Sequence, residues 1–161
     1  MHDPSTSRTE LSMRPFRPDD ADACLTLFDA NCPACFAANE RVDFQKFLEH
    51  DPQGFLVVEF GAAIAGCFGI TTSADPSKAR LNWIMIDPAV QGQGLGSKMM
   101  SRAHSQALGL RAKFLDIAAS QYSAPFFARF GATESLRTRD GWGPGMDRVD
   151  MQLELAPGKS T

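Results

Sequence analysis

The stretch Ile84-Met85-Ile86-Asp87-Pro88-Ala89-Val90-Gln91-Gly92-Gln93-Gly94-Leu95-Gly96 decides how this chain is read. It opens as an apolar strand, breaks at Asp87-Pro88 and passes into alternating glycines. Behind the glycines, Leu95, Met99, Met100, Ala103 and Ala107 recur at helical spacing, with Lys98, Arg102 and Gln106 on other faces. The spacing predicts a helix over 97–108, closed by Gly109. Glycine admits positive φ and brings a ligand close to backbone with no Cβ in the way. A helix start leaves amides unpaired and carries partial positive charge. Together they make a seat for a phosphate or pyrophosphate.

Spacing narrows the ligand. Gly96-Ser97-Lys98-Met99 does not supply the GxxxxGK[ST] of a nucleoside triphosphate loop. Gly92 to Gly96 reads GxGxG, one residue short of the dinucleotide fingerprint, and no acidic residue stands where a ribose would need it.

Outward from this unit the chain is ordinary. Residues 13–16 read as a short strand, and Pro18-Asp19 opens a helix bearing Ala21, Cys24, Leu25 and Phe28, with Asp19 or Asp20 as cap. A second helix over 42–50 carries Phe44, Phe47 and Leu48, and Asp51-Pro52-Gln53-Gly54 breaks it. Strands follow at 55–60, 62–72 and 79–86, then after the long helix at 113–118. Pro125 starts a short helix with Phe126, Phe127 and Phe130. A hairpin ends the chain, with arms at 132–139 and 148–155 and a loop over 140–145. In its second arm Val149, Met151, Leu153 and Leu155 alternate with polar residues. The expected class is α+β: a mixed, largely antiparallel sheet of six to seven strands flanked by about four helices. The expected organisation is a flexible tail at 1–12, one domain at 13–155 and a tail at 156–161.

Composition sets outer limits. The chain has 161 residues, 43% of them apolar and 22% charged, with net charge -3. That suits one domain with its own core. It argues against sequence-independent binding of nucleic acid, which needs a basic surface. No run reaches the about 18 apolar residues of a membrane span, and residues 1–12 lack a secretory apolar stretch; the expected location is the cytoplasm, with no membrane partner. Cys32-Pro33-Ala34-Cys35 has redox or zinc spacing, but no second ligand pair follows. The expectation is no metal, with a redox use of the two cysteines as a lesser reading.

The opening stretch fits Q/R-x-x-G-x-G/A and resembles the cofactor motif of the GNAT superfamily of N-acetyltransferases. Residues 119–131, Ala119-Ser120-Gln121-Tyr122-Ser123-Ala124-Pro125-Phe126-Phe127-Ala128-Arg129-Phe130-Gly131, are similar to that superfamily's second motif, and residues 151–155 to its closing strand. The resemblance implies a V-shaped sheet with acetyl-CoA held between the fourth and fifth strands, as co-substrate. It implies pyrophosphate binding by main-chain amides of Gln93, Gly94, Leu95, Gly96 and Ser97 in a loop that opens with Gln91 and Gly92. Backbone at Met85 and Ile86 would meet the pantetheine arm, Lys98 or Arg102 the outer phosphate, and Ser120 and Phe127 would border the cofactor. The implied reaction is direct attack of an amine on the thioester, the acceptor being a small-molecule or peptide amine; family members are often dimers, so a homodimer is a possible assembly.

Two positions depart from the family pattern. Phe127 stands where a proton-donating tyrosine is expected, and Asn82, with Trp83 beside it, stands where a glutamate often serves as base. Tyr122, the only tyrosine, is the candidate acid, and Glu40 the candidate base or ammonium ligand. Trp142, in the hairpin loop, is a candidate lid over the acceptor or a surface turn residue, and Asp140, Asp147 and Arg148 flank that loop, which is a candidate cover for the acceptor. The competing reading is an acyl-CoA-binding protein of the same fold without catalysis.

Overall fold

A computed structural model describes residues 10–50 and 52–155. These build a seven-stranded sheet in the order β1-β2-β3-β4-β5-β7-β6. The strands are β1 (Leu11–Pro15), β2 (Phe55–Phe60), β3 (Ala63–Thr72), β4 (Lys78–Ile86), β5 (Phe114–Ala119), β6 (Thr133–Gly143) and β7 (Met146–Glu154). The helices are α1 (Ala21–Ala30), α2 (Arg41–Glu49), α3 (Leu95–Gly109) and α4 (Ala124–Ala128). Only β4 and β5 run parallel; every other neighbouring pair is antiparallel. The mixed, largely antiparallel sheet flanked by four helices agrees with the sequence pattern.

Period-two alternation divides the core between the two faces. Along β2, Leu56 and Val58 turn to one face and Phe55 and Val57 to the other. The first face is covered by α3, whose Leu95, Met99, Met100, Ala103 and Ala107 are all buried, matching the helical stripe of the sequence. The second face takes Cys24, Leu27 and Phe28 of α1 and Phe44 and Leu48 of α2.

The sheet opens where the site will lie. β4 pairs with β5 only from Lys78↔Phe114 to Leu81↔Ile117, although β4 continues to Ile86 and β5 to Ala119. A bulge on β4 accompanies the divergence: Cys67 faces Met85 and Gly69 faces Asn82, so Phe68 stands opposite both Trp83 and Ile84. Trp83 takes φ +49°, a left-handed conformation costly for an aromatic residue. The extra residue turns the strand away from β5.

Several boundaries differ from the sequence reading. The first strand begins at Leu11, so the expected tail over 1–12 is cut short; residues 1–9 and 156–161, and Asp51 of the expected break, lie outside the described residues. Asp20 does not cap the free amides of α1. Its carboxylate accepts from the Arg17 amide at 2.8 Å and from both terminal nitrogens of Arg14 at 2.8 and 2.9 Å. A guanidinium fork outcompetes helix amides for a buried carboxylate because the bond is charge-assisted and bidentate. The long helix begins two residues early, at Leu95, and β6 runs to Gly143, so the hairpin turns over Pro144-Gly145 alone.

Candidate acyl-transfer site

The glycine loop is built as its sequence requires. Asp87 accepts from the Ala89 amide at 3.0 Å and starts a short 3-10 turn over Pro88–Val90. Gly92 and Gly94 then take φ +86° and +85°, which side chains resist. Gly96 is glycine for a different reason: a Cβ there would stand 2.7 Å from the Phe126 ring and 3.3 Å from Ile86 Cδ1. Phe126 of α4 packs hard against the first turn of α3. Among the described residues, the amides of Gly94, Leu95, Gly96 and Ser97 meet no protein acceptor, as a helix start dictates. They form a ready seat for an anion at the positive end of a 15-residue helix.

This seat opens into a cleft of about 800 Å³ that runs through the divergence of β4 and β5. Gln91, Gly92, Gly94, Leu95, Gly96, Ser97, Met85, Ile86, Ser120 and Phe127 all line it; Gln93 and Lys98 do not. Lys98 and Gln93 are exposed beside its mouth. The Asp87 amide bonds the Ala65 carbonyl at 2.8 Å, and antiparallel alternation then turns the peptide groups of Met85 toward β3 and those of Ile86 toward the cleft. The Ile86 carbonyl is taken by Asn31 Nδ2 at 3.0 Å, the same amide that donates to the Leu27 carbonyl at 2.8 Å. Asn31 thereby locks the end of α1 onto the open edge of β4.

On the β5 side, Ser120 is buried and organises the turn into α4. Its hydroxyl accepts from the amides of Tyr122 and Ser123, both at 3.2 Å, and its own amide donates to Ser123 Oγ at 2.9 Å. The turn sets Tyr122 at the cleft edge, 59% exposed. Phe127 is buried in the cleft wall and brings no hydroxyl.

The far end of the cleft is made of side chains. Glu40 is only 6% exposed. One carboxylate oxygen, Oε2, accepts from the Ala37 amide at 2.7 Å; among the described residues Oε1 has no protein partner. Burial raises the pKa of Glu40 above the usual carboxylate range; the Ala37 amide opposes this and the negative charge of Asp43 adds to it. Phe36 and Trp83 stand beside it, their rings 6.1 Å apart, and Trp83 rests on Phe44 at 4.9 Å. Asn82 is no base: its amide donates to Thr71 Oγ1 at 2.8 Å.

The β6–β7 hairpin closes this end. Trp142 Nε1 donates to the Ala119 carbonyl at 2.9 Å, and the Trp142 carbonyl accepts from Asn39 Nδ2 at 2.8 Å. Gln121 bridges to the turn, donating to the Gly145 carbonyl at 2.9 Å and accepting from the Asp147 amide at 2.7 Å. Trp142 is thus a fixed wall of the cleft rather than a surface turn residue. Cys35 lines the same end, and burial pushes the thiols of Cys32 and Cys35 up, away from the thiolate that redox chemistry needs.

The sequence relationships agree with this geometry. Residues 21–132 match the model of the acetyltransferase (GNAT) family. The chain belongs to the GNAT acetyltransferase family. An acetyltransferase of Pectobacterium atrosepticum is 27% identical over 99 residues, covering 61% of this chain and 68% of the relative. Among solved structures, the ribosomal-protein-S18-alanine N-acetyltransferase of Escherichia coli superposes with TM-score 0.72 at 15% identity, over 94% of this chain and 99% of that one. A Salmonella typhimurium protein solved with its cofactor acetyl-CoA gives 0.70 at 17% identity, over 95% and 98% of the two chains. N-acetylglutamate synthase of Neisseria gonorrhoeae, complexed with coenzyme A and N-acetyl-glutamate, gives 0.74 at 16% identity, over 92% of this chain and 36% of that one.

Within this GNAT chain, sequence reasoning missed Asn31 and Arg80, and it placed Arg148 only as a flank of the final hairpin loop. Asn31 had no local signal, since its partner strand is 55 residues away. Arg148 had a weak one: it sits in the polar register of an alternating strand.

Proposed function

We propose that this chain moves the acetyl group of acetyl-CoA to a primary amine by direct attack, working in the cytoplasm. The observation that carries the reading is the two-ended cleft: an open amide seat at the start of α3 and a nearly buried carboxylate, Glu40, at the other end of one continuous channel through the sheet. The seat fits a pyrophosphate, and the extended backbone of Ile86 fits an amide-bearing arm lying along the open strand edge. Bound there, acetyl-CoA supplies an activated acetyl thioester.

The chain's own residues then divide the work. The amides of Gly94, Leu95, Gly96 and Ser97 hold the diphosphate, and Ile86 orients the arm. At the far end the amine arrives protonated, because a lysine-like amine has fewer than about one molecule in a thousand neutral at pH 7. Glu40 Oε1, with no protein partner among the described residues, receives the ammonium and takes its proton, directly or through a water. As nitrogen bonds to the acetyl carbon and the carbon–sulfur bond breaks, the nitrogen gives up its second surplus proton to water, and Tyr122 at the cleft edge gives a proton to the thiolate and regains one from solvent. Tyr122 is a modest acid here, since exposure lets solvent do the same task.

The test is release of free thiol from acetyl-CoA with a panel of primary amines, beside calorimetry of acetyl-CoA binding. Binding with amine-dependent thiol release supports the reading. Binding without release from any amine would leave the alternative that Phe127 and Asn82 favour, an acyl-CoA-binding protein without catalysis. Absence of binding would overturn both.

A further inference from the structure

We propose that the amine accepted by this chain carries a carboxylate, as a free amino acid does, and that the guanidinium of Arg148 reads it. The inference rests on the acetyl-transfer reading above and specifies its acceptor.

Arg148 stands on β7 two residues from Asp150, and both side chains point to the same face of the sheet. Its Nε donates to Asp150 Oδ1 at 3.0 Å. Its guanidinium carbon lies 5.0 Å from the centre of the Trp142 ring. Trp142 is itself fixed, through Ala119 on one side and Asn39 on the other. The guanidinium is therefore held along one edge and over one face. Its two terminal nitrogens have no partner among the described residues, and Arg148 lines the cleft. A planar fork held in this way is a receptor for a carboxylate, which it meets with two parallel hydrogen bonds. Arg80 lines the same cleft from β4, exposed and unpartnered among the described residues, and adds positive charge to that wall.

Glu40 supplies the opposite charge in the same cleft. An acceptor with an amine alone would use Glu40 and leave the prepared fork of Arg148 idle. An α-amino acid uses both, with its side chain against Phe36 and Trp83, the apolar surface beside Glu40.

The experiment compares three forms of each acceptor: the free amino acid, its carboxamide, and the corresponding amine without a carboxyl group. A peptide with an N-terminal acidic residue and an amidated end forms a fourth arm. The carboxamide has the more easily deprotonated amine, so a preference for the acid cannot arise from nucleophilicity. For the best amino acid of the twenty, kcat/KM should exceed that of its amide by roughly 10- to 100-fold, the range of one charge-assisted hydrogen-bonded contact. In Arg148→Gln that ratio should fall to about one, and Arg148→Lys, which keeps the charge but not the fork, should lie between. Calorimetric acetyl-CoA binding by each variant checks that the fold is retained. An acid-to-amide ratio near one in the wild type overturns the inference, as does an unchanged ratio in a folded Arg148→Gln, or preference for the acidic peptide. Where no amine is acetylated, amino-acid binding to the coenzyme A complex decides. Binding lost in Arg148→Gln sustains the inference while the catalytic reading falls; no binding at about 10 mM, a weak affinity by any standard, overturns it.

Discussion

The two ends of the cleft are made of different material. The phosphate end is backbone: amides, two glycines in a left-handed conformation and a third that lets α4 approach. The acceptor end is side chain: Glu40, Phe36, Trp83, Trp142 and Arg148, drawn from four separate parts of the chain. Backbone sites need particular φ values and short spacings, so they leave a compact mark in the sequence. Side-chain sites need only that distant residues meet, and that leaves almost none.

The largest expected effect falls on the backbone end. Gly94→Glu forces a side chain into φ +85° and sets a negative charge beside the open amides. Acetyl-CoA affinity should fall by more than about 100-fold, while the strain of one left-handed side chain lowers the melting temperature by only a few degrees; a variant that binds normally would remove the anion seat from the account. Next comes the acceptor end. Glu40→Gln should lower kcat/KM by about 100-fold at neutral pH, the usual worth of a positioned base, with acetyl-CoA affinity kept.

The pH profile gives that comparison a sign. Because burial raises the Glu40 pKa, the wild-type rate should decline as pH falls through a value above the ordinary carboxylate range, and Glu40→Gln should lack that limb. Stability runs the other way. A raised carboxyl pKa means the charged form is disfavoured in the fold, so stability is fullest below the unfolded pKa and is lost as pH rises through the folded one. The glutamine variant should therefore melt no lower than wild type at neutral pH.

Two smaller effects sharpen the contrast by sparing or grazing each end. Asp20→Asn weakens the Arg14 fork far from both ends and should cost about 2 kcal/mol, the scale of charge-assisted bonds, read by denaturant titration, with acetyl-CoA affinity intact. Arg14 holds the Asp20 carboxyl below the usual range, so this contribution is present above the unfolded carboxylate pKa and disappears as pH falls through the lowered value. Tyr122→Phe should reduce kcat by about tenfold at most, less than a buried acid would give, because water reaches the same position; a loss as large as that of Glu40→Gln would make Tyr122 the dominant catalytic group.

The same contrast explains what could be read beforehand. The five buried residues of α3 were legible because one helix face against one sheet face gives a 3.6-residue period. β2 was legible from end to end, as an apolar run bounded by turn residues. The bulge at Trp83 was not: a left-handed tryptophan has no local signature, and the surrounding sheet imposes it. Glu40 could be suspected from its position between two helices, but its burial comes from tertiary packing. Trp142 could be read as a lid or as a turn residue, because the strand that carries it extends into what resembled a glycine-rich loop. Arg148 could be placed beside the acceptor loop but not given a role, because only the ring beneath it and the carboxylate beside it distinguish it from any solvated arginine.

One feature of the topology bears on how the molecule comes to exist. β7 is the last of the described strands along the chain, yet it lies between β5 and β6. The second edge of β5 stays unpaired until β7 enters, and Leu115↔Leu153 joins residues from opposite ends of a long loop. Closure at such separation is slow relative to local steps. The entry of β7 delivers Arg148 to the cleft together with the hairpin that carries Trp142. Nascent chains that stop short of residue 146 would hold every glycine of the phosphate seat and still lack Arg148. The phosphate seat is thus made by one local stretch of chain, whereas the acceptor end is complete only with the return of the final hairpin.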